Sequence, residues 1–533
     1  MVVFIPAWFK NNEWCENEQN WHERKMHSEF DDSVKQIQLF HRNKAFDYSI
    51  CILGFSPNLR HFLHRQGVYM APYFSVFDAI NECESKRARV FSYKDLSWIP
   101  NTEFIYTPFV AIALFQGRKY AQLEFGEDGN LIQVDMYEGD NVAIRSIYDD
   151  RGFVSSAIIY DETAPVYQDY YNENGTWKIR VFFEDGHVEI NKERNFYVLG
   201  SGDDKREITF KKLQYESLEE VISEIFNSYI DTLSSDDIFC VAMHNLITGL
   251  VAKSLKGKKT ILSFFEKRFS FDDEYTKQVM QNANYIITDS KIRADEIMDK
   301  YESEKDKVVN ITPYDTRREN GISQQLTVQK ILLAVDSLSP ESFEKLVLMF
   351  AEYFDENDKA RVYFFTREAD YNLPNDLLNR AGKILSDNGF SSELALGTLD
   401  DNVSENGIDD IDGMEEVPVK FFVEQCVDEL SASKCIMEQR LIINMSNASN
   451  LYLQISGVSF GIPQIVTEET QYVKDGLNGQ VVRNIEDLPK TLRFYLSGMK
   501  NWNNAMIHAY DIGENYTTRR LVEKWKEVVD NIG

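Results

Sequence analysis

A chain of 533 residues with 43% hydrophobic side chains has ample material for buried cores, and its length points to about three domains of roughly 150 residues. Its 57 basic against 86 acidic residues give a formal net charge of −29, which repels phosphate backbones and excludes nucleic acid as the expected partner. No uninterrupted apolar run approaches the ~18 residues needed to span a bilayer, and the start MVVFIPAWFKNNEW has no basic segment leading into an apolar one, so a cytoplasmic protein is expected. Cys15, Cys51, Cys83, Cys240, Cys426 and Cys435 are dispersed without CxxC spacing. Buried thiols are expected, with no metal and no cofactor.

The apolar start through Phe4 and Ile5 is followed by YSICILGF at 48–55, which reads as a buried strand feeding a helix in SPNLRHFLHRQG. Residues 77–87 have helical composition, and 90–93 read as a short strand. From about 105 to 213, aromatic and β-branched runs alternate with the turns Asp128-Gly129, Gly139-Asp140, Arg151-Gly152, Asn174-Gly175 and Asp185-Gly186, the pattern of an antiparallel meander. The β/α pattern then returns with a helix at 218–233, a strand from 237, a helix at 245–255, a strand at 260–265, the segment ANYIITDS at 283–290 opening a helix at 291–301, and a strand at 308–311. Polar residues 314–327 read as a linker. A second series follows: strand 330–335, helix 341–354, strand 360–366, helix 377–387, then an acidic stretch at 400–416 read as a solvated loop because EF-hand spacing fails there. It resumes with strands at 420–422, 441–445 and 464–466, helices at 427–435, 451–456 and 487–497, and a largely helical 502–525.

The expected class is α/β: two doubly wound Rossmann-type domains, GT-B-like, with an inserted antiparallel β-meander domain. The first is discontinuous, 1–104 and 214–313, interrupted by the meander at 105–213. The second spans 326–505, and 506–533 is expected to form a helix packing back on the N-terminal domain.

Side chains that invite chemical readings have structural ones as well. His61 and His64 stand three apart between Arg60 and Arg65, where cations disfavour a metal. His244 follows a strand and is expected at the interdomain crevice, either as a vestigial ligand-binding residue or as a hydrogen-bonded structural histidine. Ser290 fits a helix N-cap better than a nucleophile, lacking the Gly-x-Ser-x-Gly elbow. Gly200-Ser-Gly202 lacks the rest of a dinucleotide fingerprint, and no P-loop is present. KSLKGKK at 253–259 reads as a solvated turn. In the meander, Tyr170, Tyr171, Trp177, Phe182 and Phe183 are contact candidates for a partner, because adjacent aromatic pairs on a strand must place one member on each face.

Three strand-end segments carry a resemblance: ANYIITDSK at 283–291, the stretch from Ser446 to GIPQIV at 461–466, and YVKDGLNGQVV at 472–482. In order and spacing they are similar to landmarks of retaining glycosyltransferases with the GT-B fold, which use two glutamates eight positions apart on the donor. Registered on Gly461-Ile-Pro463, those positions are Ala448 and Ser456. The loop VDSLSPESFEK at 335–345 also presents acids and hydroxyls where such enzymes need cations against a diphosphate. The resemblance implies no catalytic residue, with a vestigial cleft formed by His244, Asn447, Asn450, Tyr452, Thr467 and Tyr472.

A second resemblance runs end to end. FIPAWF, FDDSVKQIQLF at 30–40, RLIINMS at 440–446, YLQISGVSFGIPQI at 452–465 and YLSGMKNWN at 495–503 are similar to the first accessory Sec system protein of Gram-positive bacteria. That family implies a non-catalytic adaptor in export of serine-rich repeat glycoprotein adhesins. The partners it implies are the second and third accessory Sec system proteins, the accessory motor ATPase and the preprotein, with peripheral membrane association. An active glycosyltransferase using Asn447, Asn450, Thr467 and Tyr472, or a sugar-binding relative, stays open at this point.

Overall fold

In a computed structural model the chain is described except at residues 11, 16–29, 45, 272–274, 318, 320, 398–418, 447–449 and 533. Seven apolar strands form the first parallel sheet, in the order Val308–Asn310, Tyr285–Thr288, Lys259–Phe264, Ile238–Ala242, Val2–Ile5, Tyr48–Ile52 and Tyr73–Ser75. The central strands, VVFI and IFCVA, are buried along their whole length, as expected of strands covered by helices on both faces. The segment at 77–87 departs from its helical composition. Its helix is only Val76–Ile80, ending before Glu82, which adopts φ 59°. Residues 90–93 form no strand; the outer strand is Tyr73–Ser75 instead.

The antiparallel sheet has ten strands, nine running consecutively from Glu103–Tyr106 to Val188–Ile190, with Gln214–Tyr215 added at the far edge. Gly129, Gly139, Gly152, Gly175 and Gly186 all adopt positive φ at its hairpins, where an L side chain would be strained. Further hairpins, at Gln116-Gly117 and at Glu162, lack the Asn-Gly or Asp-Gly signal.

The meander is anchored to the first domain by buried charge. Asp149 and Asp150, at the hairpin that reads from sequence as a simple turn, reach the helix Leu59–Arg65. Arg60, 1% exposed, donates to Asp150 at 2.5 Å and to Asp149 at 3.3 Å. Arg151 bridges Asp149 and Asp78 at 2.7 Å each. Asp150 also accepts from the backbone N–H groups of Arg60 and His61, at 2.9 and 3.1 Å, so it caps a helix whose own N-cap Asn58 makes no side-chain capping bond.

The second parallel sheet runs Phe421–Gln425, Ala360–Thr366, Gln329–Ala334, Leu441–Asn444, Gln464–Val466 and Gly479–Val481. Helix Met499–Gly513 packs against Leu451–Phe460 of this domain. The return to the first domain therefore comes later than residue 506, with helix Thr518–Ile532. Its Leu521, Trp525 and Val528 join the core of Phe4, Phe40 and Ile50, the Trp525 ring lying 5.3 Å from that of Phe40.

Candidate functional site: the interdomain cleft

The carboxyl ends of the two parallel sheets face each other, the position where doubly wound folds place ligands. A cleft of about 310 Å³ lies there. From the first domain it receives Glu266 and Lys267 after one strand and Asp289, Ser290, Arg293 and Glu296 after the next; from the second, Asp336, Ser337, Arg367, Asn450 and Glu468. Its charged lining is five carboxylates (Glu266, Asp289, Glu296, Asp336, Glu468) against three cations (Lys267, Arg293, Arg367).

Two of those cations are held by the protein itself. Arg293 donates to the Glu266 carbonyl oxygen and lies 3.2 Å from Glu296. Arg367 lies 3.6 Å from the Glu266 carboxylate, with its guanidinium 5.2 Å from the Phe30 ring. Asp289 is buried and accepts from the Glu266 N–H at 2.6 Å and the Ser290 hydroxyl at 3.0 Å. Burial outweighs those bonds and pushes its carboxyl up to about 6. Ser290 accepts from Arg293 N–H at 3.2 Å, capping helix Lys291–Lys300. Asn450 does the same for Leu451–Phe460, accepting from Leu453 N–H at 3.0 Å.

Behind the cleft an apolar core joins the domains: Phe30 and Phe265 from the first, Tyr314 from the linker, and Leu451, Tyr452 and Ile455 from the second. Phe30 and Tyr452 ring centroids are 4.7 Å apart, Tyr314 and Tyr452 5.5 Å. The Tyr314 hydroxyl donates to the Phe30 carbonyl at 2.6 Å. Gln471 accepts from Lys291 N–H at 2.9 Å, and Lys35 pairs with Glu429 at 2.5 Å. A second cavity of about 490 Å³, lined in part by Lys35, Arg42, Arg317, Glu429, Tyr452 and Ser456, lies against this core.

The residues named from sequence are thus dispersed. Among those described, Asn450 lines the front cleft, while Tyr452 and Ser456 line the other cavity. Tyr472 is not at a cleft wall: it is fully buried, its hydroxyl bonded to Thr312 and its ring 4.9 Å from Tyr516. Thr467 donates to the Ser446 carbonyl at 3.2 Å. His244 is the N-cap of helix Asn245–Ser254, accepting from Leu246 N–H at 3.2 Å and packing on Phe9. Burial, then the Arg268 charge, hold it neutral by lowering its pKa to about 4. Asn447, Ala448 and the acidic stretch 400–416 fall outside the described residues. Sequence reasoning missed Glu266, Arg293 and Arg367 as cleft residues; their position just beyond parallel strands was the available signal.

On the meander, Tyr170 must be removed from the contact candidates. It is 4% exposed and packs on Phe55 and Phe77 at 5.0 and 5.1 Å, because this part of the sheet lies on the first domain. Tyr171, Trp177 and Phe182 are half-buried. Phe182 stacks on His187 at 4.3 Å, and Phe183, just past the strand end, is 44% exposed.

The family model described as Accessory Sec system protein ASP1 matches residues 1–532. The chain belongs to that family. A Streptococcus gordonii protein of the same description is 32% identical over 544 residues, covering 99% of this chain and all of that protein. In a crystal structure of accessory secretory proteins 1, 2 and 3 of Streptococcus pneumoniae, one chain is 26% identical with a TM-score of 0.78, covering 100% of this chain and 99% of that one. The pneumococcal O-GlcNAc transferase structure, with UDP and GlcNAc, matches at 12% identity and a TM-score of 0.68 over 100% and 98% of the two chains, a likeness of fold alone. The architecture is GT-B-like, and the protein is a component of the accessory Sec system. No described helix is long and apolar enough to cross a membrane.

Proposed function

We propose that the protein is a non-catalytic adaptor: a GT-B-shaped body that binds the second and third accessory Sec proteins and presents the serine-rich glycoprotein preprotein to the accessory motor ATPase. The observation that carries this reading is the charge of the cleft. A nucleotide diphosphate needs unspent donors and cations; here five carboxylates outnumber three cations, and Arg293 and Arg367 already serve Glu266 and Glu296. Ser456, where the resemblance places a carboxylate, lines the other cavity. The relative solved as a set of accessory secretory proteins 1, 2 and 3 supports companion binding, and the half-exposed aromatic edge of the meander is the surface proposed for it. On this reading the protein needs no cofactor, and its contact with the membrane is peripheral.

Two experiments test this. Purified full-length protein is incubated with a panel of sugar nucleotides and unglycosylated serine-rich repeats; neither transfer nor saturable nucleotide binding is expected. Transfer that disappears in Asn450→Ala overturns the reading. In parallel, Phe183→Ala and Trp177→Ala are co-expressed with the companion proteins, and weakened co-purification is expected. Unchanged recovery of the complex removes the meander edge as the docking surface while leaving the non-catalytic reading standing.

A further inference from the structure

At the outer edge of the second domain, away from the cleft lining, the end of strand Phe421–Gln425 meets helix Glu429–Met437. Glu424 lies on the strand, Cys426 just beyond it and Cys435 on the helix. Their ligand atoms, two thiol sulfurs and a carboxylate oxygen, all lie within 4.8 Å of one another. Among the described residues this is the one group of three or more histidine, cysteine or acidic side chains so gathered. We propose that Cys426, Cys435 and Glu424 form a binding site for a thiophilic divalent cation of the zinc class.

The chemistry of the set favours that ion. Thiolate sulfur with a carboxylate oxygen selects zinc-like over calcium- or magnesium-like ions. Zinc–sulfur bonds of about 2.3 Å place two tetrahedral sulfurs about 3.8 Å apart, so the present separations need to contract by roughly 1 Å at most, a side-chain adjustment. Both thiols are buried, and Glu424 is half-exposed, which leaves an approach for the ion and a position for water. Lys330, itself 3% exposed, pairs with Glu438 at 2.7 Å nearby. Gln439 donates to the Cys435 sulfur at 3.7 Å and to its carbonyl at 2.9 Å, the kind of outer partner that orients a ligand. Binding breaks two S–H bonds, forms two sulfur–metal bonds and releases two protons to solvent.

The site has a structural consequence. The helix bearing Cys435 also carries Glu429, whose pair with Lys35 crosses to the first domain. An ion that ties this helix to its strand fixes one side of the domain contact. The eight residues between Cys426 and Cys435 match no zinc spacing, which is why the sequence alone gives no sign of it.

The test uses full-length protein under a non-thiol reductant, titrated with Co2+ and then Zn2+. One equivalent of Co2+ producing a thiolate-to-metal charge-transfer band that Zn2+ displaces is the expected result. Cys426→Ser and Cys435→Ser lose the band, Glu424→Gln weakens binding by roughly tenfold or more, and Cys240→Ser, a buried cysteine elsewhere, leaves it unchanged. A second readout needs no variant: bound Zn2+ slows alkylation of Cys426 and Cys435 in the partly denatured wild-type protein without changing that of Cys51. Absence of a thiolate band, its persistence in the Cys426→Ser/Cys435→Ser double variant, or equal protection of all cysteines overturns the proposal.

Discussion

The charge cluster beneath the meander predicts a large effect from a residue that looks like part of a turn. Asp150→Ala removes a carboxylate that accepts from Arg60 Nε at 2.5 Å and from two backbone N–H groups at the start of helix Leu59–Arg65. Taking one partner from a buried ion pair costs ~3–5 kcal/mol, because the other charge is left in low dielectric. Arg60 keeps Asp149 at 3.3 Å and Asp78 at 3.7 Å, which places the ionic part near the lower end. Loss of the cap adds about 1 kcal/mol, for a total of ~4 kcal/mol. The first domain and meander together are about 300 residues, so at ~2.1 cal/mol/K per residue each kcal/mol shifts the melting transition by about 1.5 °C, and it falls by about 6 °C. Asp128→Ala is the control: its pair with Arg65 at 2.7 Å joins the same two bodies but is partly exposed, with side chains 19% and 29% accessible, and an exposed pair is worth at most ~1 kcal/mol. Arg60→Met should soften the Asp150→Ala penalty, since the buried guanidinium that lost its shortest ion pair is then gone. Equal melting shifts for Asp150→Ala and Asp128→Ala would refute the claim that burial makes this pair decisive.

Two further outcomes follow from other buried groups. The Asp289 carboxyl, raised to about 6 from an ordinary 3.8, holds its proton more tightly folded than unfolded, so its contribution favours the fold below about pH 4 and is lost as pH rises through 6. Asp289→Asn should therefore gain stability relative to wild type by ~2–3 kcal/mol between pH 4 and pH 7, read by urea unfolding at both pH values; a pH-independent difference rules this out. Trp525, 1% exposed against Phe4 and Phe40, carries the chain's return to the first domain. Trp525→Ala should cost ~3–5 kcal/mol, measured as a lower urea midpoint of the first domain's transition, and a change below ~1 kcal/mol would show that the terminal helix is not part of that core.

Much of the architecture is legible in the sequence because its elements are determined locally. Short continuous apolar runs such as YSICI and IFCVA, rich in β-branched and aromatic residues, read as strands covered on both faces, and Asp-Gly or Asn-Gly turns fix hairpins wherever positive φ is required. What stays hidden depends on which distant segments meet. Asp149-Asp150-Arg151 has turn composition, and nothing local reveals that Arg60, some ninety residues away, lies beneath it. Alternation alone leaves open which member of the Tyr170/Tyr171 pair lies against the first domain; a register shift at that step and the rings of Phe55 and Phe77 settle it. In the cleft, strand-end position identified the Asp289 and Asp336 loops, but the engagement of Arg293 by the Glu266 carbonyl and of Arg367 by the Glu266 carboxylate arises only when three strand ends converge.

The same convergence bears on motion. Two-domain bodies can close around a ligand by hinge motion, so the cost of opening this cleft decides whether the protein can behave as a ligand-gated machine. Phe30, Tyr314 and Tyr452 lie in one apolar core spanning linker and both domains. Rings of this size bury ~150–250 Å² each, and at ~25 cal/mol per Å² full exposure of the three costs roughly 11–19 kcal/mol. Exposing even half amounts to ~5 kcal/mol or more, a population ratio of ~10⁻⁴ or less for the open form. A ligand must prefer the open form by at least that margin to populate it, and on the non-catalytic reading proposed above a nucleotide sugar has no such preference. Paired fluorophores on exposed Lys267 and Glu468 should thus report the same transfer efficiency with and without millimolar sugar nucleotide, while Tyr314→Phe, which removes the hydrogen bond to Phe30 worth about 1 kcal/mol, leaves that distance unchanged and speeds exchange of backbone amides around 30–34. A nucleotide-dependent distance change in the wild-type protein would show that the core opens, and that the fold still works as a hinge.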